Sequence, residues 1–275
     1  MPGESAEAAL AAAKKLEECG LQTILSHLGE NVAERGEAEG VAQHYLEVLA
    51  AIRESGLGTE LSVKLTQFGL DLDVDFCLEN FARVADAVPL DHTLWVDMEQ
   101  SPYVDVILDF CRRARKRHPN VGVCVQAYLF RTERDIELLI EERSAVRLVK
   151  GAYNEPPEIA FALKADADEN YFRLAQTLLS PKARRAGVRA ALGTHDGKLI
   201  QRIAGWASAR GLKKNELEFQ MLYGIQSAEQ LRLARDGFRS GVFICYGSQW
   251  FPWFMRRLAE RPANVLFLAR NFLAP

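Results

Sequence analysis

Residues 121–153, VGVCVQAYLFRTERDIELLIEERSAVRLVKGAY, hold one complete unit of the chain's design. VGVCVQAY (121–128) is a short apolar run rich in valine, which suits a strand buried on both faces. TERDIELLIEERS (132–144) has apolar residues at helical spacing. AVRLVKGAY (145–153) is strand-like again. Strand, helix and strand in that order read as a parallel β-α-β unit, because parallel neighbours need a crossover between them.

The same alternation runs along the whole chain. Eight strand-like runs stand out: TILSHLG (23–29), LSVKLT (61–66), TLWVDME (93–99), the two above, VRAALGTH (188–195), LEFQMLYG (217–224) and GVFICYG (241–247). Helical stretches separate them. VAQHYLEVLAAIRESG (41–56) ends on a glycine stop, and SPYVDVILDFCRRARKRHPN (101–120) begins with Ser-Pro and closes on basic residues before Pro-Asn. QSAEQLRLARDG (226–237) behaves alike. Eight strands with right-handed crossovers predict an α/β fold of the closed (β/α)8 TIM-like barrel type, whose usual length is about 250 residues. An open doubly wound sheet would carry a glycine-rich phosphate loop after an early strand, and neither G-x-G-x-x-G nor G-x-x-x-x-G-K-[ST] occurs. Without a low-complexity linker or a composition break, residues 1–275 read as one domain. Residues 1–18 read as a leading helix outside the barrel.

The 275 residues are 48% apolar and 26% charged, with a net charge of −3, the profile of an ordinary globular enzyme or binding domain. That balance argues against a nucleic-acid partner. The N-terminus MPGESAEAALAAAKK lacks the basic start and apolar stretch of a secretory signal, and no apolar run nears the ~20 residues that span a bilayer. Five scattered cysteines form no C-x-x-C and read as reduced, buried small hydrophobes of a cytoplasmic protein.

In a barrel of this kind the interior is expected to be apolar, and ionisable groups at the C-terminal ends of strands mark the site. Here the runs carry Lys64, Asp97 and Glu99, Gln126, Arg147 and Lys150, Thr194-His195-Asp196, and Glu218 with Gln220. Arg256 and Arg257 follow the eighth run. Burying such groups costs several kcal/mol each unless they are paired, so polar groups on so many consecutive strands point to a site rather than to packing. No metal-ligand spacing occurs among the histidines and cysteines, so no protein-held metal is expected. G-x-S-x-G is absent too. The cations Lys64, Arg147, Lys150, Arg256 and Arg257 expect an anion, and adjacent arginines are forked donors for a carboxylate or phosphate. On the residues alone two other readings stay open. One is a Schiff-base barrel enzyme of the aldolase kind using Lys150 or Lys64. The other is a barrel that only binds an amino acid or a phosphate.

The strings RLVKGAY, LGTHD, EFQMLYGI and YGSQWFPWFMRRLAERPAN, in that order, resemble the proline dehydrogenase family of bacterial flavoenzymes. Weaker similarity extends to ILSHLGENV, LSVKLTQFG, VDMEQSPYVD and VCVQAYLFRT, so that it covers about residues 20–270. The resemblance implies a distorted (β/α)8 barrel holding FAD without a Rossmann motif. It implies oxidation of L-proline to Δ1-pyrroline-5-carboxylate by hydride transfer to the flavin, and reoxidation by a quinone. Carried over by position, Arg256 and Arg257 grip the proline carboxylate with Lys64, while Tyr153 and Leu222 wall the ring. Asp97 and Arg147 are the catalytic candidates, with Arg147 near flavin N5. Met98, Gln126, Lys150, Gly151, Ala152, Thr194 and His195 complete the cofactor site. The family also implies peripheral contact with the inner face of the cell membrane. Two positions depart from the pattern: Phe243 and Trp253 stand where relatives commonly carry aromatic hydroxyls. The N-terminus also looks shorter than in many relatives.

Overall fold

Each of the eight strand-like runs forms a strand of one closed sheet in the computed structural model, which describes residues 1–251 and Met255. The elements run α1 (Ala6–Glu17), β1 (Gln22–His27), α2 (Arg35–Glu54), β2 (Glu60–Val63), α3 (Val74–Ala85), β3 (Leu94–Val96), α4 (Val104–Arg115), β4 (Val121–Gln126), α5 (Thr132–Glu141) and β5 (Ala145–Val149). They continue with α6 (Lys164–Leu178), α7 (Pro181–Arg185), β6 (Ala190–Gly193), α8 (Gly197–Ser208), β7 (Glu218–Leu222), α9 (Ser227–Arg235) and β8 (Arg239–Tyr246). Every strand pairs in parallel with its sequence neighbours, and β8 returns to β1 to close the cylinder. The predicted leading helix is α1; it is capped by Ser5 and packs across β1 and β8 through buried Ala9 and Ala13. Arg256, Arg257 and Trp253 lie outside the described residues.

Strands alternate faces, so each contributes to two cores. Outward residues such as Leu25, Leu61, Val96, Val123, Leu148 and Phe219 meet the helix layer in one large apolar cluster. Tyr45, Phe68, Phe81 and Phe110 form a chain of stacked and edge-on rings within it. Truncating any one such side chain to alanine costs about 3–5 kcal/mol, because the surrounding shell closes only partly on the gap.

Inside the barrel the expectation of an apolar filling fails. Among the described residues Ile24, Trp95 and Ala191 form a small buried apolar group there, with Ala145 and Phe243 against it. Most other inward positions are polar or ionic. Glu218 is the first residue of β7, so it lies at the barrel floor and not, as its place in the run suggested, among the groups at the mouth. There Arg189 donates to both of its carboxylate oxygens, at 2.9 and 2.8 Å, and also pairs with Glu60. Arg239 reaches Glu218 at 3.0 Å, and Trp95 Nε1–H donates to Glu60 at 2.8 Å. Burial pushes the Glu218 carboxyl up, but the two guanidiniums outweigh it and leave its pKa lowered. The floor is therefore a paired ionic plug. A β-carbon at Gly122 would sit 2.8 Å from Thr93 and 2.9 Å from the Trp95 ring, so that glycine makes the room in which Trp95 lies.

The cysteines are all free; Cys77, Cys111, Cys124 and Cys245 are buried as expected, while Cys19, at the end of α1, is exposed.

Candidate active site

The strands end shorter than their apolar runs, and the polar remainder of each run forms the loops at the C-terminal face. β5 stops at Val149, leaving Lys150, Gly151, Ala152 and Tyr153 to open the long connection to α6. Connections of that length are uncommon unless they build something. This one is folded back onto the end of β4: Phe161 N–H donates to Tyr128 O at 2.8 Å and Phe130 N–H to Ile159 O at 3.0 Å. Glu155 fastens it on the other side by accepting from Ser101 N at 2.8 Å and Ser101 Oγ at 2.5 Å. Gly151 has φ +128°, and a β-carbon there would overlap the Tyr128 ring, so only glycine lets the backbone turn so tightly against it.

The connection walls a cavity of about 820 Å³ over the barrel mouth, a size suited to a cofactor-scale ligand. Lys64, Asp97, Met98, Gln126, Arg147, Lys150, Gly151, Ala152, Tyr153, Thr194, His195 and Leu222 all line it. These are all the candidate residues that fall within the described part of the chain; Arg256 and Arg257 fall outside it.

At the centre Asp97 binds two cations. Its Oδ2 accepts from Lys64 Nζ at 3.0 Å, and its Oδ1 accepts from Arg147 Nη2 at 2.6 Å and Ser62 Oγ at 2.7 Å. Burial opposes the Asp97 charge, but Lys64 and Arg147 outweigh it and the pKa is lowered. Burial likewise opposes the Lys64 charge, and Asp97 overcomes it, raising the ammonium above its ordinary value. Three charges thus persist in a nearly dry place because each holds another.

The outer wall is built from neutral donors and a charge ladder. Gln126 Nε2–H donates to the Glu99 carbonyl at 3.0 Å, which fixes the direction of its amide at the cavity wall. Leu222 N–H donates to His195 Nε2 at 2.9 Å, so that nitrogen carries no proton and the ring proton is on Nδ1. Lys150 stands between Asp168 and Asp196, and Asp196 also caps α8 through the N–H groups of Lys198 and Leu199. Burial pushes the Asp196 carboxyl up, but those contacts outweigh it and its pKa is lowered. Glu99, in the loop after β3, accepts from two neutral donors, Thr66 N and Oγ at 3.2 and 2.7 Å, and burial raises its pKa to about 7.

Several cavity residues were not singled out from the sequence. Glu30, Phe161, Lys164 and Asp168 lie in loops or at the start of α6, where no strand pattern marks them.

A profile of the family described as "Proline dehydrogenase" matches residues 9–270. The chain belongs to the proline dehydrogenase family. It is 37% identical over 256 residues to "Proline dehydrogenase 2" of Bacillus subtilis, covering 92% of this chain and 82% of that one. Identity to "Proline dehydrogenase" of Deinococcus radiodurans is 35% over 277 residues, covering 98% and 88%. Among solved structures, proline utilization A from Bdellovibrio bacteriovorus, inactivated by N-propargylglycine, superposes with a TM-score of 0.85 at 23% identity. That match takes in 94% of this chain and 32% of the other, so the chain spans about a third of the larger protein and shares the barrel with it. As a member of the proline dehydrogenase family the protein is an oxidoreductase. No helix among the described residues is long and apolar enough to cross a membrane.

Proposed function

We propose that this protein oxidises L-proline to Δ1-pyrroline-5-carboxylate with FAD held over the barrel mouth, and that a quinone takes the electrons onward. The observation that supports it is the convergence of the family's cofactor and substrate positions on one cavity, around a cation pair sharing a single carboxylate. The cavity fits a flavin by its size, by the tight Gly151 turn against Tyr128, and by a donor set of amide, hydroxyl and cationic groups. The flavin, when bound, supplies two-electron acceptance.

The chain's own residues bind and orient. Met98, Gln126, Lys150, Gly151, Ala152, Thr194 and His195 would hold the cofactor. Lys64, joined by Arg256 and Arg257 from the segment after β8, would grip the substrate carboxylate, while Tyr153 and Leu222 would wall the ring. Asp97 keeps Lys64 charged and fixes both Lys64 and Arg147 in place. Arg147, 2% exposed, is preorganised positive charge at the reacting end and needs no reorganisation during turnover. All of this fits in one barrel domain spanning 1–275, facing the cytoplasm and touching the membrane surface where a quinone is reached.

A Schiff-base enzyme needs a lysine that is neutral near pH 7. Lys64 has the opposite property, held protonated by Asp97, and Lys150 stands between two carboxylates. The test is anaerobic titration of the purified, FAD-supplied protein with L-proline. Bleaching of an absorbance near 450 nm is the expected result; a protein that stays colourless with FAD overturns the proposal.

A further inference from the structure

Beneath the cavity lies a set of buried polar groups to which the binding roles above give no task. Gln220, 2% exposed on β7, touches the cavity from below. Its Nε2–H donates to Glu218 Oε1 at 2.7 Å. That bond turns its amide oxygen toward Arg147, whose Nη1 donates to it at 3.4 Å. On the far side β8 carries Gly241, where a β-carbon would come within 3.0 Å of Gln220 Cγ, so a glycine leaves the space this side chain occupies.

The bonds from Arg147 to Ser62 and Asp97 both leave from one nitrogen. Nη2 donates to Ser62 Oγ at 2.5 Å and to Asp97 at 2.6 Å, and the guanidinium packs beside Trp95 and Phe243 at 5.0 and 4.9 Å. A planar fork held at one nitrogen pivots in its own plane; a second acceptor at Nη1 stops the pivot.

We propose that Gln220, oriented by Glu218, is a positioning residue of the reaction: it fixes the direction of the Arg147 guanidinium without neutralising it. The inference rests on the role given to Arg147 above. Charge separation explains the choice of an amide. At the floor Glu60 and Glu218 face Arg189 and Arg239, and the charges cancel. At the mouth Lys64 and Arg147 share Asp97, and that trio carries one net positive charge. A glutamate at 220 would remove the surplus charge and would also lose the N–H by which Glu218 orients the side chain. Glutamine passes on the orientation set by the floor and keeps the charge.

The test uses the FAD-loaded protein and sulfite, a small anion that adds reversibly to oxidised flavin and bleaches it. Positive charge aimed at the flavin tightens that addition. Gln220→Met keeps the volume and removes the acceptor; Gln220→Leu removes the same acceptor with a different shape. Both are expected to weaken sulfite binding by about tenfold, roughly 1.4 kcal/mol, and to lower kcat for proline similarly. KM should stay within about twofold, because the carboxylate grip is untouched. In an Arg147→Met background, adding Gln220→Met should change sulfite affinity less than about twofold. Sulfite affinity like that of the parent in Gln220→Met, disagreement between the two variants, or an undiminished loss in the Arg147→Met background overturns the inference. A parent protein that holds no flavin overturns this inference and the proposed function together. A parent that proline bleaches, paired with an unaltered Gln220→Met, removes this one alone.

Discussion

Glu218 and Glu99 are the same residue type, almost equally buried at 2% and 3% exposure, at opposite ends of one barrel. Their acidities move in opposite directions. Glu218 lies between two guanidiniums and stays ionised, its pKa lowered against the pull of burial. Glu99 is held by a hydroxyl and a backbone N–H, and burial lifts it to about 7. The difference is in the partners, since depth is equal. The floor of the barrel matches each carboxylate with a cation and so acts as a brace. The mouth leaves its charges incompletely matched, which is the condition in which they can act on a ligand.

The comparison breaks most severely at the floor. Arg189→Met should remove about 3–5 kcal/mol of stability, because Glu60 loses its cation and Glu218 keeps only Arg239. The urea midpoint measures it; a loss below about 1 kcal/mol would mean that the floor pairs merely cancel their own desolvation.

Glu99 sharpens the contrast through pH. Its carboxyl binds its proton more tightly in the folded protein than in the unfolded chain, where its value is near 4.5. The folded state therefore holds more protons, and stability falls as pH rises from about 4.5 to about 7. Glu218 has the opposite sign: its contribution is present above its unfolded pKa and lost as pH falls through the lowered folded value. Glu99→Gln should flatten the decline between pH 5 and 8 by about 2–3 kcal/mol, read as the melting temperature across that range. An unchanged slope would show that Glu99 is ionised and paired like Glu218.

The smallest effect is expected at Phe243, which lines the cavity with its ring 4.9 Å from the Arg147 guanidinium. Phe243→Tyr adds a hydroxyl to this wall and should change the ratio of kcat/KM for proline over 4-hydroxyproline by about threefold. Identical ratios for the two proteins would show that the missing hydroxyl has no part in selecting the ring.

The fold was readable because barrel strands advertise themselves. Each strand keeps a short, largely apolar and β-branched run even where its inward side chains are polar, and eight such runs alternating with helical periods leave few closed arrangements. The cavity residues of the inner site were readable for a related reason. Asp97, Gln126, Lys150 and His195 interrupt or end apolar runs, where an unpaired polar group is too costly to be casual. The long connection from β5 to α6 obeys no such period, which is why Phe161, Lys164 and Asp168 gave no signal.

By itself the sequence determined the strand count, their parallel order, the leading helix and most of the polar positions that line the mouth. These follow from local periodicity and from the cost of burying charge, both of which act within a few residues. Only the tertiary structure decided which charges meet. Glu60 and Arg189 are 129 positions apart and become a pair only when the cylinder closes. Glu218 belongs to the floor, not to the mouth, because strand stagger around a closed sheet sets height, and no local pattern records it.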